Sequence, residues 1–394
     1  NNYSNVTRKV EARKENMSEN AAKIRKIGIL TSGGDSPGMN AAIRAVTRYA
    51  LMRGIEVMGI YEGYRGLING KNYIKKFNAH DVSNIIDEGG TILYSARCPE
   101  FKEREGIEKA AKNCRELGID GLITIGGDGT FRGAYDLSTM FGIPCIGIPG
   151  TIDNDITATD YTLGFDTAVN TTMQMIDRLR DTCESHARCY VAEVMGNNAG
   201  YIALYSAIAV GAAAVAIKER PFDEDAAIKK MMQSRQAGKR NFIVVVSEGA
   251  NLDAEELAKK IQAVTASHDM EIETRFARFA HVVRGGSPTL RDRMTAAKMG
   301  VAAVDLLLSG KTNMFMCERH GEIVGTDIMV ANFADKKYKS TFDPKVAQKF
   351  DPSEGEKFNT EVRAEIDSLV AERIAEIDKL LALAENISNY TSIE

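Results

Sequence analysis

No apolar run in the 394 residues is long enough to cross a bilayer as a helix, so a membrane-spanning helix is excluded. The chain also lacks a secretory signal core: residues 1–25 are polar and charged. They read as a flexible extension, with Met17 as the natural start and the preceding residues as an upstream artefact. Asn5-Val6-Thr7 fits a glycosylation pattern, but nothing else points to secretion. Cysteine is sparse. Cys98, Cys114, Cys145, Cys183, Cys189 and Cys317 form no C-x-x-C pair and no zinc spacing, and read as reduced, mostly buried thiols of a cytoplasmic protein. A net charge of −4 leaves no basic excess for nucleic acid or an anionic membrane, so neither is expected as a partner. Neither common nucleotide fingerprint is present. Gly310-Lys311-Thr312 looks like the end of a P-loop, but Asp305 stands where the leading glycine belongs and a long helix precedes it; it reads as a helix C-cap.

What is present is an alternation of short apolar runs and amphipathic segments in a chain long enough for two domains. Strands are predicted at Ile27 to Leu30, Ile55 to Ile60, Leu122 to Ile125, Cys145 to Ile148, Tyr190 to Met195 and Phe242 to Val246. Helices are predicted at Asn40 to Met52, Ile107 to Leu117, Phe165 to Arg180, Glu224 to Gln236, Ala254 to Thr265 and Leu290 to Leu308. The alternation implies parallel sheets covered by helices, with ligands beyond the carboxyl ends of strands. Residues 361–387 carry Val362, Ile366, Leu369, Val370, Ile374, Ile377 and Leu381 at helical spacing, which predicts an amphipathic helix. Docking on its own domain is the plainer reading of that helix, and a subunit contact the sharper one.

Three strand ends carry glycine: Ser32-Gly33-Gly34-Asp35, Gly126-Gly127-Asp128-Gly129-Thr130, and Pro149-Gly150-Thr151-Ile152-Asp153-Asn154-Asp155. Glycine lets backbone N–H groups approach phosphate oxygens without a Cβ in the way. Gly-Gly and Gly-Asp pairs are ordinarily mere turns, but three of them at strand ends in the first half of one chain outweigh that reading. Carboxylates beside such loops make sense with a Mg²⁺ between them and a phosphate, or as a base taking a proton. The combination points to phosphoryl transfer to a hydroxyl. The Gly126 to Thr130 pattern is shared with kinases resembling diacylglycerol and NAD kinases, so it fixes a reaction class and no substrate. Cations expected around a sugar phosphate are Arg97, Arg188, Arg275 and Arg284, although a single arginine is more often a surface group.

From about Lys26 to about Asp335 the chain resembles the bacterial-type ATP-dependent 6-phosphofructokinases. The segments that carry the likeness are LTSGGDSPGMNAAIR (30–44), GIYEGYRGL (59–67), GGTILYSARCPEF (89–101), GGDGT (126–130), PGTIDNDI (149–156), DRLRDT (177–182), SHAR (185–188), EVMG (193–196), SEG (247–249), ETR (273–275) and HVVRGGSP (281–288). The resemblance implies an α/β fold of two Rossmann-like three-layer α/β/α domains, with parallel-rich sheets and an active-site cleft between them. It implies an ATP-binding domain over 26–163 plus 282–332, a fructose 6-phosphate-binding domain over 164–281, and a C-terminal segment over 333–394. The activity implied is transfer from MgATP to the 1-hydroxyl of fructose 6-phosphate, giving fructose 1,6-bisphosphate and ADP, the committed step of glycolysis.

On the same ground Asp153 is the general base, with Thr151 and Asp155 beside it. Gly34, Arg97, Cys98, Gly127, Asp128, Gly129 and Thr130 are implied to hold the nucleotide, and Asp128 the Mg²⁺. Arg97 bridges the transferred group. Met195, Gly196, Asn197, Glu248, His281 and Arg284 are implied to contact the sugar phosphate together with Thr151 and Asp153. Arg188 and Arg275 reach it across a subunit boundary, which implies a homotetramer. Members similar to the pyrophosphate-dependent enzymes carry Asp and Lys at the places of Gly129 and Gly150, so ATP is the expected donor and pyrophosphate the alternative. Three departures stand out: Asn197 where an arginine is usual, Tyr201 for an aspartate and Ala280 for a glycine. The first motivates an alternative, a weakly active or regulatory paralogue that binds sugar phosphate. Arg44, Arg48, Arg180, Lys239 and Arg240 match an effector site's cations, but Ala213 and Phe77 replace two of its other groups, which argues against control by ADP or phosphoenolpyruvate.

Overall fold

The computed structural model describes residues 24–390, so the expected extension lies, up to residue 23, outside the described residues. Eleven strands occur among the described residues: β1 Lys26–Thr31, β2 Glu56–Ile60, β3 Ile74–Phe77, β4 Gly121–Gly126, β5 Cys145–Pro149, β6 Cys189–Val194, β7 Ala214–Ala216, β8 Phe242–Ser247, β9 Thr274–Arg278, β10 Met314–Arg319 and β11 Glu322–Asp327. They form two sheets, ordered β11-β10-β5-β4-β1-β2-β3 and β7-β8-β6-β9. The chain divides into two compact units. One runs to Thr151 and includes Ala158–Gly164 and Gly286–Asn332; the other comprises Ile152–Thr157, Phe165–Gly285 and the segment from Phe333 on.

The first unit holds the seven-stranded sheet. Its four inner pairings, from β10 through β5, β4 and β1 to β2, are parallel where they meet, and only the edge strands β3 and β11 run antiparallel. The residues of β4 and β5 are buried throughout, as strands covered on both faces must be. One face packs on helices Met39–Met52 and Leu290–Leu308, through Ile43, Val46, Met299, Ala303 and Val304. These helices approach closely because residue 300 is glycine: a Cβ there would lie 2.7 Å from that of Ala45. The other face buries Leu67, Ile107, Ala110, Ala134 and Leu137.

The second unit holds the four-stranded sheet, in which every pairing is parallel. Its core gathers Val191, Val244 and Val246 of the strands with Ile228, Met231, Leu257 and Ile261 of helices Glu224–Gln236 and Ala254–Ser267.

Most expected elements stand within a residue or two of their expected bounds, and Phe165–His186 runs longer than expected. The helix over 361–387 is present as Thr360–Ser388. Gly310 follows helix Leu290–Leu308 with φ +80, the left-handed stop expected of a helix end. The edge strands β3 and β11 are additions to the sequence reading, as are β7, β9, β10 and helix Tyr201–Val210. Cys114, Cys145, Cys183, Cys189 and Cys317 are buried, and burial pushes the Cys114 thiol up to about 12.

Candidate active site

In the seven-stranded sheet the chain leaves β1 toward β2 and β3 on one side, then returns to place β4, β5 and β10 on the other. The carboxyl ends of β1 and β4 therefore flank the point where strand order reverses, the place where open α/β sheets bind ligands. The two loops there are tied together. Ser32 donates its N–H to Ile125 O at 3.0 Å, and Thr130 Oγ1 donates to Ser32 O at 3.1 Å. Gly126 is required by that join, since a Cβ would fall 2.3 Å from Thr130 Oγ1 and 2.4 Å from Ser32 O. Gly127 and Gly129 meet the opposite condition: nothing lies within 4 Å of where their Cβ would be. They open helix Asp128–Phe141, whose N-terminus carries no side-chain cap. Free N–H groups and the helix dipole at this point favour an anion.

Asp128, at the start of that helix, accepts from Arg132 one turn on, with Nε 3.1 Å from Oδ1. Gly34 is exposed on the neighbouring loop, where Gly33 takes φ +85. Ser95 Oγ donates to Gly33 O at 2.5 Å, which holds the segment bearing Arg97 and Cys98 beside that loop. The Arg97 side chain is exposed, and burial raises the half-buried Cys98 thiol above its ordinary pKa. The β5 end joins the same group, Gly150 donating its N–H to Gly126 O at 2.9 Å. Gly150 is tight: a Cβ would stand 3.0 Å from Met39 Cε and 3.1 Å from Ile125 Cγ2. Thr151 O accepts from Thr162 Oγ1 at 2.6 Å.

In the second unit the parallel strands deliver their carboxyl ends to one edge of the sheet. Met195 is buried just past β6, and Gly196 follows with φ +149. Glu248, just past β8, accepts from Gly196 N at 3.2 Å and from Asn197 N at 2.7 Å through Oε1, so the expected substrate contacts 196, 197 and 248 form one cluster. Asn197 is exposed in left-handed backbone, φ +53, a conformation that Asn tolerates better than most side chains do. The adjacent Asn198 accepts from Lys218 at 2.7 Å, and Lys218 pairs with Asp343 at 2.5 Å; the sequence gives no local sign of either partner. Past β9, His281 and Arg284 stand on the turn Ala280–Arg284, where Ala280 takes φ +44. Arg188 and Arg275 converge on Glu273, with Arg188 Nε 2.6 Å from its carboxylate. The Arg188 guanidinium, together with Arg275, holds the Glu273 carboxyl below its ordinary pKa.

The loop Ile152–Thr157 belongs to the second unit. Asp153 is buried in it, 7% exposed, next to Asn154 at φ +50. Asp155 pairs with Lys339 at 3.3 Å. Thr157 donates its N–H and its hydroxyl to Asp335, at 2.8 and 2.6 Å. The carbonyls of Ile156 and Thr157 accept from Arg373, at 3.0 and 3.4 Å. Asp335, Lys339 and Arg373 were not expected here, because nothing in their own neighbourhood of the sequence marks them.

Comparison with known proteins gives a consistent answer. The phosphofructokinase family matches residues 26–307. ATP-dependent 6-phosphofructokinases of Bacillus pumilus and Clostridium botulinum are each 50% identical over 315 residues, 80% of this chain and 95% and 96% of theirs. Among solved structures, the phosphofructokinase of Saccharomyces cerevisiae is 34% identical with a TM-score of 0.76, over 82% of this chain and 47% of that one, so the chain spans about half of the yeast subunit. A pyrophosphate-dependent phosphofructokinase from Marinobacter aquaeolei, 24% identical with a TM-score of 0.66 over 78% of this chain and 84% of that one, shares the fold. The chain belongs to the phosphofructokinase family.

Proposed function

We propose that the chain transfers the γ-phosphoryl group of MgATP to the 1-hydroxyl of fructose 6-phosphate. The observation that carries this reading is the nucleotide cradle: an uncapped helix start at Asp128, flanked by two glycines with open space beside them, at the reversal point of the sheet. The identity to named ATP-dependent relatives supports it over nearly their whole length. Asp153 takes the hydroxyl proton as that oxygen attacks the γ-phosphorus in line. The bond from phosphorus to the bridging oxygen breaks, and ADP carries the electron pair away. Arg97 offsets the charge gathering on the transferred group. The Arg188–Glu273–Arg275 cluster supplies forked donors for a sugar phosphate, presented to the site of a neighbouring subunit in a homotetramer.

A magnesium ion fits the donor set, because Mg²⁺ is held by one or two carboxylates plus substrate phosphates and water. Asp128 would be that carboxylate, and its partner Arg132 is exposed to solvent. When bound, the ion neutralises phosphate charge. ATP is favoured over pyrophosphate because Gly129 faces open space, which an aspartate there would fill with negative charge. Loss of ADP or phosphoenolpyruvate control is supported by Phe77, buried in β3 under Gly59 and unavailable to any ligand. No helix among the described residues is long and apolar enough to cross a membrane, and we place the enzyme in the cytoplasm with its glycolytic relatives.

A coupled assay with ATP and with pyrophosphate tests the reading. ATP should support turnover and pyrophosphate should not. Asp153→Asn should lower kcat by about 10²–10⁴-fold while fructose 6-phosphate still binds; near-normal turnover in that variant rejects Asp153 as base. The neutral, exposed Asn197 keeps the regulatory-paralogue reading in play. Tight sugar-phosphate binding without turnover in the purified chain, rescued by Asn197→Arg, would establish that reading instead.

A further inference from the structure

The loop that carries Asp153 has no regular structure of its own. Residues 152–157 belong to no helix or strand, yet most of them are buried. Buried backbone outside regular structure must find hydrogen-bond partners elsewhere. Here those of Ile156 and Thr157 come from the C-terminal part of the chain, beyond the 26–307 stretch that the family match covers.

The contacts form a clamp of charged groups. Arg373, on helix Thr360–Ser388, is 5% exposed. It donates from one terminal nitrogen to Ile156 O at 3.0 Å, from Nε to Thr157 O at 3.4 Å, and from the other terminal nitrogen to Glu376 at 3.0 Å. Its guanidinium lies over the Tyr201 ring, 5.0 Å from the centroid. Tyr201 and Tyr205 direct their hydroxyls at the two oxygens of Glu376, each at 3.4 Å. On the other side of the loop, Asp335 accepts from Thr157 and also from Lys339 at 2.6 Å, and Lys339 reaches Asp155.

Burying a guanidinium is expensive in desolvation, and apolar contacts fasten a helix without that cost. Ile366, Leu369, Val370 and Ile377 already bury the apolar face of this helix. What Arg373 adds is direction: a rigid fork fixes two carbonyls that lie three and four residues beyond Asp153. Tyr201, the departure at a position where the resemblance implies aspartate, supplies the aromatic face on which that fork rests.

We propose that Arg373 and Lys339, with Asp335 between them, are positioning residues for the loop bearing Asp153, so that the C-terminal helix sets the geometry of the base. The inference rests on the reading of Asp153 as general base. A small displacement of a reacting group lowers rate steeply while leaving ground-state binding intact, and that split is what sets positioning apart from a merely structural role.

The test uses the full chain. Arg373→Met keeps most of the stem and removes every donor, and Lys339→Met cuts the tie to Asp155. Arg373→Met should lower kcat about 10–100-fold, with fructose 6-phosphate affinity measured by calorimetry, and KM for ATP, both within about threefold. Arg373→Lys should regain part of the loss, and Lys339→Met should lose about tenfold in kcat. Arg220→Met is the control: it breaks the Arg220–Asp378 tie of the same helix, 2.8 Å, without touching the loop, and should leave kcat within about twofold. Folded Arg373→Met or Lys339→Met protein with wild-type kcat overturns the proposal, and so does an Arg220→Met loss as large as that of Arg373→Met. If Arg373→Met does not fold, Lys339→Met decides the outcome. Asp153→Asn in the same assay separates the two readings: activity lost there but kept in the Arg373 and Lys339 variants rejects the clamp alone, whereas activity kept in Asp153→Asn rejects the base.

Discussion

The two glycine-rich strand ends that follow β4 and β5 are built in opposite ways. The Gly126–Thr130 turn is made of backbone, with open space at Gly127 and Gly129, and its Asp128 pairs with Arg132 one turn on. The 152–157 loop is closed in by side chains, and its hydrogen bonds go to charged groups on the C-terminal segment. The difference follows from what each must hold. A nucleotide brings its own charges and needs donors that stay out of its way, which glycine and a helix start provide. A base must be aimed, and aim in an irregular loop comes from directed contacts made elsewhere.

The largest effect expected from breaking this contrast is at Gly126. Alanine there must push against Ser32 O and Thr130, one of them backbone, so it should cost about 2–3 kcal/mol of stability and weaken ATP binding together with folding. Gly129→Asp is its counterpart. Its side chain meets open space, so stability in urea should stay within about 0.5 kcal/mol, while KM for ATP rises at least about tenfold from like-charge repulsion. If Gly126→Ala is as harmless as Gly129→Asp, the turn is not the rigid cradle described above.

The same contrast decides what could be seen in the sequence. Strand β8 and helices Glu224–Gln236 and Leu290–Leu308 were legible because an unbroken apolar run and helical periodicity are local signals. Asp223 reinforces one of these helix starts by accepting from Ala226 N. Strand β3 was not legible, because Lys75 and Lys76 occupy its middle and it needs only an edge position against β2. The turn at Gly126 was legible for the same local reason as β8. Arg373 was not, since it lies 217 residues from the carbonyl of Ile156 that it caps, and its helical neighbours give it no distinction from any arginine on an amphipathic helix. Lys218 is similar: its partner Asp343 lies 125 residues away.

A middle-sized effect is expected at that pair. Lys218 and Asp343 are both nearly buried, and the Lys218 ammonium holds the Asp343 carboxyl below its ordinary pKa. A depressed carboxyl contributes stability that is full above the unfolded value, about 3.9, and is lost as pH falls through the folded one. Asp343→Asn should therefore lose about 2 kcal/mol at pH 7, with the gap to wild type closing on acidification below about pH 4. Thermal scans at several pH values check this. A gap that stays constant with pH would mean that the loss comes from the turn at Pro344, which Asp343 also caps, and not from the ion pair.

The smallest effect should carry the opposite sign. Glu219 is buried, and burial raises its carboxyl above the ordinary range. Its Oε1 accepts from Gly200 N at 2.8 Å, whereas Oε2 is buried with no hydrogen-bond partner. A raised carboxyl contributes stability that is full below the unfolded pKa and lost as pH climbs through the folded one. Gln at this position keeps the acceptor for Gly200 and removes the charge. Glu219→Gln should thus match wild type near pH 4–5 and exceed it at pH 8 by roughly 1 kcal/mol, or about 2–4 °C. Placed beside Asp343→Asn, it turns the contrast between the two loops into a pair of titrations within one unit. There two buried carboxyls, Asp343 and Glu219, pull stability in opposite directions with pH. The Gly126 turn, built from backbone, should show neither trend, and a Glu219→Gln curve that runs parallel to wild type at every pH would mean that this carboxyl titrates alike in the folded and unfolded chain, so that burial does not raise it.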